Sequence, residues 1–393
     1  MSEFEQNFLA GIPLLQMHKH LPEIAMILLS LLLLYLAIKK KYEPFLLLPL
    51  GFGMLIANLP MPAILGLPGF SAHDEGGLLY YLYSGIKIGL YPPMIFLCLG
   101  AMTDFAPLIA RPSSALIGLG GQFGIFASFG LALLLSNFLG GVIPGFEGFT
   151  IQEAAVIGII GSSDGPTTIF TANRLAHEIL PTVAIAAYSY MALVPIIQPP
   201  IMRLMTTAKE RVIIMPEPKK ITQRQKIFFP IVVTIVSILL VPAAGTLIAM
   251  LMLGNLIRES GVVERYIPTL QTTLLNILTI LIGISIGATA TAERMLQPKT
   301  IIVICLGLIA FAVGTMGGVL VAKIMCKLTG GKVNPLIGNA GVSAMPMAAR
   351  VSQKLGQEYN PQNHLIMHAM GPIVASTLGS ALVAGIFIAL LGG

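Results

Sequence analysis

Apolar runs long enough to cross a bilayer recur at residues 23–38, 44–59, 86–106, 114–139, 180–204, 228–257, 270–290, 300–325 and 365–391. Each reads as a membrane helix, because about 20 apolar residues match the thickness of the hydrocarbon layer. Two intervals break the pattern. Residues 151–174 and 334–354 are apolar enough for membrane depth, yet they are interrupted by Gly161-Ser162-Ser163-Asp164-Gly165-Pro166-Thr167-Thr168 and by the polar and small residues between Asn334 and Pro346. Unwound backbone survives at that depth only where protein buries it or water reaches it, so both intervals are predicted to be re-entrant hairpins.

A long internal repeat contains both intervals. Gly100-Ala101-Met102-Thr103 recurs as Gly287-Ala288-Thr289-Ala290, Arg111-Pro112 as Gln297-Pro298, and Ala172-Asn173-Arg174-Leu175 as Ala348-Ala349-Arg350-Val351. Charge sets the orientation, since Lys and Arg concentrate in cytoplasmic loops. Placing Lys39-Lys40-Lys41, Lys209 to Lys226 and Lys323 to Lys332 inside makes 151–174 enter from outside and 334–354 from inside, an inverted repeat. Residues 228–257 must then cross twice, as two arms meeting near Pro242-Ala243-Ala244-Gly245; were they one helix, the repeats would run parallel. The expected fold is an all-α polytopic membrane protein of inverted repeats, each with a re-entrant hairpin. Its parts are N-terminal scaffold helices over 1–84, a first repeat over 85–205, a basic cytoplasmic linker with connecting scaffold helices over 206–269, and a second repeat over 270–393.

Composition narrows the function. Of 393 residues 55% are apolar and 10% charged, where soluble domains carry roughly a quarter of charged residues. A soluble enzyme, a nucleic-acid reader and a secreted disulfide scaffold are excluded, because their surface would be one apolar patch. The net charge of +6 comes from short clusters between apolar runs, as in cytoplasmic loops, and not from a nucleic-acid stripe. Trp is absent, so any interfacial belt falls to Tyr and Phe. Cys98, Cys305 and Cys326 lack metal-ligand spacing. The first 20 residues, with Glu3, Glu5, Pro13, His18 and His20, do not form a cleavable signal peptide, so the first span inserts the chain.

The hairpins hold the chemistry. Asp164 is an acidic residue well inside a break, flanked by Ser162, Ser163, Thr167 and Thr168, a hard-cation ligand set. Its burial costs at least about 2.5–3.5 kcal/mol, which marks a functional candidate. It also suits the N-cap of a half-helix opening at Gly165-Pro166, and the two roles are compatible. Asn334, Asn339 and Ser343 offer neutral oxygens from the second hairpin, Gly338 and Gly341 allow close backbone approach, and Arg350 follows. Arg350 either pairs with a carboxylate-bearing ligand or snorkels to the interface. Tyr188 and Tyr190 follow the first hairpin, where packing is the simpler role. His364 and His368, read as sharing a helix face, have no third ligand in view. Asp104 and Glu293-Arg294 mark span boundaries, and His73-Asp74-Glu75 belongs to an extramembrane loop.

At these hairpins the chain resembles the β subunits of the sodium-transporting biotin-dependent decarboxylases, the oxaloacetate, methylmalonyl-CoA and glutaconyl-CoA decarboxylase pumps. The resemblance rests on the string around Asp164, on N-P-L-I-G-N-A-G-V-S-A-M-P-M-A-A-R from Asn334 to Arg350, and on N-H-L-I-M-H-A-M-G-P from Asn363 to Pro372. It extends to Lys40 to Pro60 and Gly100 to Pro112, most of the chain. It implies a subunit of the inner, cytoplasmic membrane that decarboxylates carboxybiotin presented by a partner and drives Na⁺ out of the cell, consuming a proton. It implies catalytic roles for Asp164, Tyr190 and Arg350, Na⁺ contacts from Asp164, Asn334, Asn339 and Ser343, and hairpin backbone at Gly165, Pro166, Gly338 and Gly341. Members commonly carry Asn beside the Gly-Pro of the last helix, where this chain has Ile373, so a ligand from that helix is in doubt.

The expected partners are a carboxyltransferase subunit, a biotin carrier and a small membrane subunit. No Met-Lys-Met biotinylation string occurs in the chain, and its longest polar stretch, around Lys209 to Lys226, is too short for carboxyl transfer. Self-association and the acyl substrate stay open. The rival reading is a Na⁺-coupled organic-anion symporter on the same hairpins.

Overall fold

Helices make up the regular structure of the described residues in the computed structural model, which describes residues 21–41, 43–59, 77–217 and 219–392. The readings of the first 20 residues and of His73-Asp74-Glu75 lie outside them. In chain order the helices are α1 Leu21–Ile38, α2 Pro44–Ala57, α3 Leu78–Lys87, α4 Tyr91–Met102, α5 Ala106–Ala110, α6 Pro112–Leu139, α7 Ile151–Ile160, α8 Gly165–Leu175, α9 Leu180–Met205, α10 Ala208–Arg211, α11 Gln223–Leu240, α12 Gly245–Ser260, α13 Tyr266–Thr289, α14 Ala292–Met295, α15 Pro298–Leu328, α16 Met347–Tyr359 and α17 Ile366–Leu391. Six of them (α1, α6, α11, α13, α15 and α17) are long and apolar enough to cross a membrane on their own. The run expected at 86–106 is interrupted: α3 ends at Lys87, Gly89 adopts φ +75°, and α4 opens at Tyr91 with Pro92 and Pro93 behind it. A left-handed glycine followed by two prolines cannot continue a helix.

Residues 228–257 are not one helix. α11 and α12 pack on each other and join at a single turn of 3₁₀ helix, Pro242–Ala244, which is the fold-back that the inverted placement requires. Thr222 caps α11 in a reciprocal capping box with Gln225.

The backbone divides into two units, residues 1–91 with 276–301 and residues 92–275 with 302–393, and the same joint occurs in each. In the first unit α2 lies against α13, where a Cβ on Gly53 would sit 2.5 Å from the Ile284 carbonyl oxygen. Asn58 closes this joint, donating 2.7 Å to the Ala290 carbonyl and accepting 2.9 Å from the Ala292 N–H. In the second unit α12 lies against α4, where a Cβ on Gly254 would sit 2.8 Å from the Ala101 nitrogen. Asn255 closes this one, donating 3.1 Å to the Thr103 carbonyl. Thr103 and Ala290, whose carbonyls accept these two bonds, stand at matching positions of the two similar strings.

Both broken segments sit in the second unit, between α6 and α15. The first is the helical pair α7 and α8 with a turn at 161–164, buried from Glu153 to Ala172. The second is a 3₁₀ helix, Pro335–Gly341, then irregular chain, then α16. Glycine permits the tight fit: a Cβ on Gly161 would meet the Gly124 carbonyl of α6 at 2.8 Å, and one on Gly121 would overlap the carbonyl of Gly341. These segments are therefore seated against neighbouring backbone, the condition for irregular chain at membrane depth.

Candidate functional site

The first hairpin begins at a capping box, in which Thr150 and Glu153 satisfy each other's backbone N–H groups. α7 then runs apolar and buried to Ile160, and Gly161, Ser162 and Ser163 turn the chain, Ser163 in the left-handed region at φ +56°. Asp164 follows as the N-cap of α8, its Oδ1 accepting 3.1 Å from the Thr167 N–H and its backbone carbonyl accepting 2.8 Å from the Thr168 hydroxyl. The capping expectation holds. The carboxylate is buried, and among the described residues no cationic side chain pairs with it. The helix N-terminus offsets part of its charge.

The second hairpin meets the first through backbone, the Ser343 N–H donating 2.7 Å to the Ser162 carbonyl. α17 joins them. Ser380 donates to Asp164 Oδ2 at 2.7 Å, and the Ser343 hydroxyl lies 3.4 Å from that of Ser380 and 3.2 Å from that of Ser376. Gln122 of α6 donates 3.1 Å to the Ser376 hydroxyl. Around this cluster the Gln122 Oε1, Ser163 Oγ and Thr167 Oγ1 atoms are buried without hydrogen-bond partners. Buried polar atoms are ordinarily paired, so several orphan oxygens beside this carboxylate have the chemistry to take up a hard cation.

The other expected ligands are engaged elsewhere. Asn334 caps the 3₁₀ helix, accepting 2.9 Å from the Leu336 N–H and donating to the Arg211 and Ile213 carbonyls at 3.1 and 2.8 Å. Asn339 donates 2.8 Å to Gln198 Oε1 and 2.9 Å to the Ala348 carbonyl, and its own oxygen accepts from the Ser352 hydroxyl. Gly338 and Gly341 lie in the 3₁₀ helix against α15 and α6, while Gly165 and Pro166 open α8. The last helix does contribute, through Ser376 and Ser380, whereas Ile373 is buried in an apolar cluster with Ile337 and Leu336.

Gly165 brings in a tyrosine. A Cβ there would lie 2.6 Å from the Tyr188 ring, and the Tyr188 hydroxyl is buried without a partner. Tyr190 instead donates to the Ile304 carbonyl of α15. Arg350, exposed on α16, borders a cavity of about 320 Å³ shared with Pro195, Pro199, Arg203, Lys354 and Glu358. Arg203 takes the Glu358 carboxylate at 2.7 Å, leaving Arg350 without an ion pair among the described residues. A free guanidinium beside a lysine is suited to an incoming carboxylate.

The sequence matches the family of Na⁺-transporting oxaloacetate decarboxylase β subunits over residues 22–391. It is 51% identical to methylmalonyl-CoA decarboxylase subunit β of Propionigenium modestum over 385 residues, covering 94% of this chain and 95% of the relative. It is 49% identical to glutaconyl-CoA decarboxylase subunit β of Acidaminococcus fermentans over 368 residues, with 94% and 93% covered. To the oxaloacetate decarboxylase β chain of Klebsiella pneumoniae it is 46% identical over 420 residues, with 95% and 96% covered. The chain belongs to this family of β subunits. It is a multi-pass membrane protein and the membrane subunit of a sodium-pumping decarboxylase. The symporter reading is not favoured, and a β subunit implies a complex with other subunits.

Proposed function

We propose that this β subunit removes CO₂ from carboxybiotin presented by a partner and couples that release to Na⁺ export through Asp164. The observation that carries the reading is the Asp164 carboxylate, buried without a countercharge among orphan oxygens where the two hairpins and α17 meet. At membrane depth such a group is neutralised by a proton or by a cation, and exchange of one for the other is a transport cycle. The ion's ligands are Asp164 with oxygens from Ser343, Ser376, Ser380, Ser163 and Thr167. Asn334 and Asn339 fix the shape of the second hairpin.

Loss of CO₂ from the biotin-bound carboxyl breaks an N–C bond and consumes one proton, which supplies the driving free energy. Arg350 and Lys354 orient that carboxyl at the cavity on α16, and protonation of Asp164 releases Na⁺. The unpartnered Tyr188 hydroxyl supports Tyr188 as the proton's last carrier, with Tyr190 holding α9 to α15. A carboxyltransferase, a biotin carrier and a small membrane subunit complete the pump, and the acyl substrate belongs to the first of them. In proteoliposomes holding the complex, Asp164→Asn is expected to abolish Na⁺-dependent decarboxylation. Arg350→Ala is expected to lower it while leaving Na⁺ binding intact. Coupled activity retained in Asp164→Asn refutes the assignment.

A further inference from the structure

A second cavity, mostly apolar in its lining, lies in the same unit, apart from the Asp164 cluster. Arg111, Ser114 and His368 face it between apolar walls that include Met215, Met325 and Ile337. Among the described residues no acidic side chain lines it. The Arg111 Nη1 atom is buried and has no hydrogen-bond partner, and among the described residues no carboxylate pairs with this guanidinium. The Ser114 hydroxyl does not answer it, because that hydroxyl donates 2.8 Å to Arg111's own carbonyl. His368 was expected to share a helix face with His364, but α17 opens at Ile366, so only His368 is helical, and it is half-buried at this cavity.

A guanidinium nitrogen out of water with neither acceptor nor countercharge is costly, and one bound anion removes both deficits. The cavity offers about 20 Å³ to the centre of a water-sized body, room for one occupant of water or halide size. We propose that the Arg111 and His368 cavity is a binding site for a single small monovalent anion. Arg111 supplies charge and donors, and the His368 ring adds a further donor. Met215, from the basic loop after α10, covers the cavity, so the anion enters from the side of that loop. The site shares no residue with the proposed Na⁺ ligands, and the inference does not rest on the reading given for them.

The test is the thermal midpoint of the purified chain titrated with chloride or bromide against gluconate, which is too large for the cavity, at constant Na⁺ and ionic strength. A saturable rise in chloride or bromide and a flat response in gluconate are expected. The half-saturating concentration should rise at least about 10-fold in Arg111→Gln, the loss of one charged hydrogen-bonding partner. Asp164→Asn should keep the anion response. Should Arg111→Gln fail to fold, saturable excess broadening of the ³⁵Cl resonance by wild-type protein, weakened in His368→Ala, gives the same reading. Identical curves in all three salts, or an anion response as tight in Arg111→Gln as in the wild type, overturn the proposal.

Discussion

Ser380 reaches across 216 positions of sequence to donate a 2.7 Å hydrogen bond to Oδ2 of Asp164. The bond ties the last membrane helix to the tip of the first hairpin, and Ser343 brings the second hairpin to the same hydroxyl. A hydrogen bond to a charged group contributes about 1.5–3 kcal/mol, or roughly a factor of 10 to 100 in affinity. Ser380→Ala is therefore expected to raise the half-saturating Na⁺ concentration of the pump about 10-fold or more, with Ser380→Thr close to wild type. Unchanged Na⁺ dependence in Ser380→Ala would remove this helix from the ion's surroundings.

The seat of the second hairpin makes a separate prediction. A methyl group at residue 121 would overlap the Gly341 carbonyl, whereas one at Gly130 on the same helix meets nothing within 4 Å. Overpacking of buried sites costs about 1–3 kcal/mol. Gly121→Ala is expected to lower the thermal midpoint in detergent and to weaken Na⁺ binding, while Gly130→Ala changes neither. Equal midpoints for the two variants would show that the hairpin is not wedged against α6.

The two tyrosines of α9 separate by kinetics. Tyr188→Phe removes the unpartnered hydroxyl beside Gly165, and Tyr190→Phe removes a donor to the Ile304 carbonyl. At saturating Na⁺, Tyr188→Phe should slow decarboxylation more, and Tyr190→Phe should act chiefly through stability. A larger catalytic loss in Tyr190→Phe returns the proton's path to that residue.

Glu210 provides an acid-side test outside the membrane. Burial alone would raise its carboxyl, but the Thr207 N–H and hydroxyl and the Lys323 ammonium, 3.5 Å away, hold it below the ordinary glutamate value. A depressed folded value stabilises above the unfolded one and loses that contribution as pH falls through the folded value. The gap in thermal midpoint between wild type and Glu210→Gln should be widest near about pH 6 and narrow toward about pH 4. A gap that widens on acidification contradicts this.

Hydrophobic run length made the membrane helices legible, and the polar interruptions marked both hairpins, because unwound chain persists at that depth only where protein or water surrounds it. Asp164 stood out for the same reason. Ser376, Ser380 and Gln122 were hidden: single hydroxyl or amide residues inside apolar helices ordinarily bond the preceding turn, as Ser380 does to Thr377 and Gln122 to Gly118, and only the fold adds the bonds from Ser380 to Asp164 and from Gln122 to Ser376. Asn334 and Asn339 were legible as candidate oxygens, and the fold gives both amides partners within the protein. An asparagine in a broken segment has the composition of a ligand, but whether its oxygen faces an ion or caps a turn depends on the path of the chain. The break at Gly89 was also there to be read, as a glycine shortly ahead of two prolines.

Equilibrium binding of ²²Na⁺ to the purified chain reads out whether the Asp164 carboxylate holds Na⁺ where the hairpin tips meet. Saturable binding is expected in the wild type and in Arg350→Ala, and none above background in a folded Asp164→Asn variant. Wild-type binding in Asp164→Asn would contradict that role.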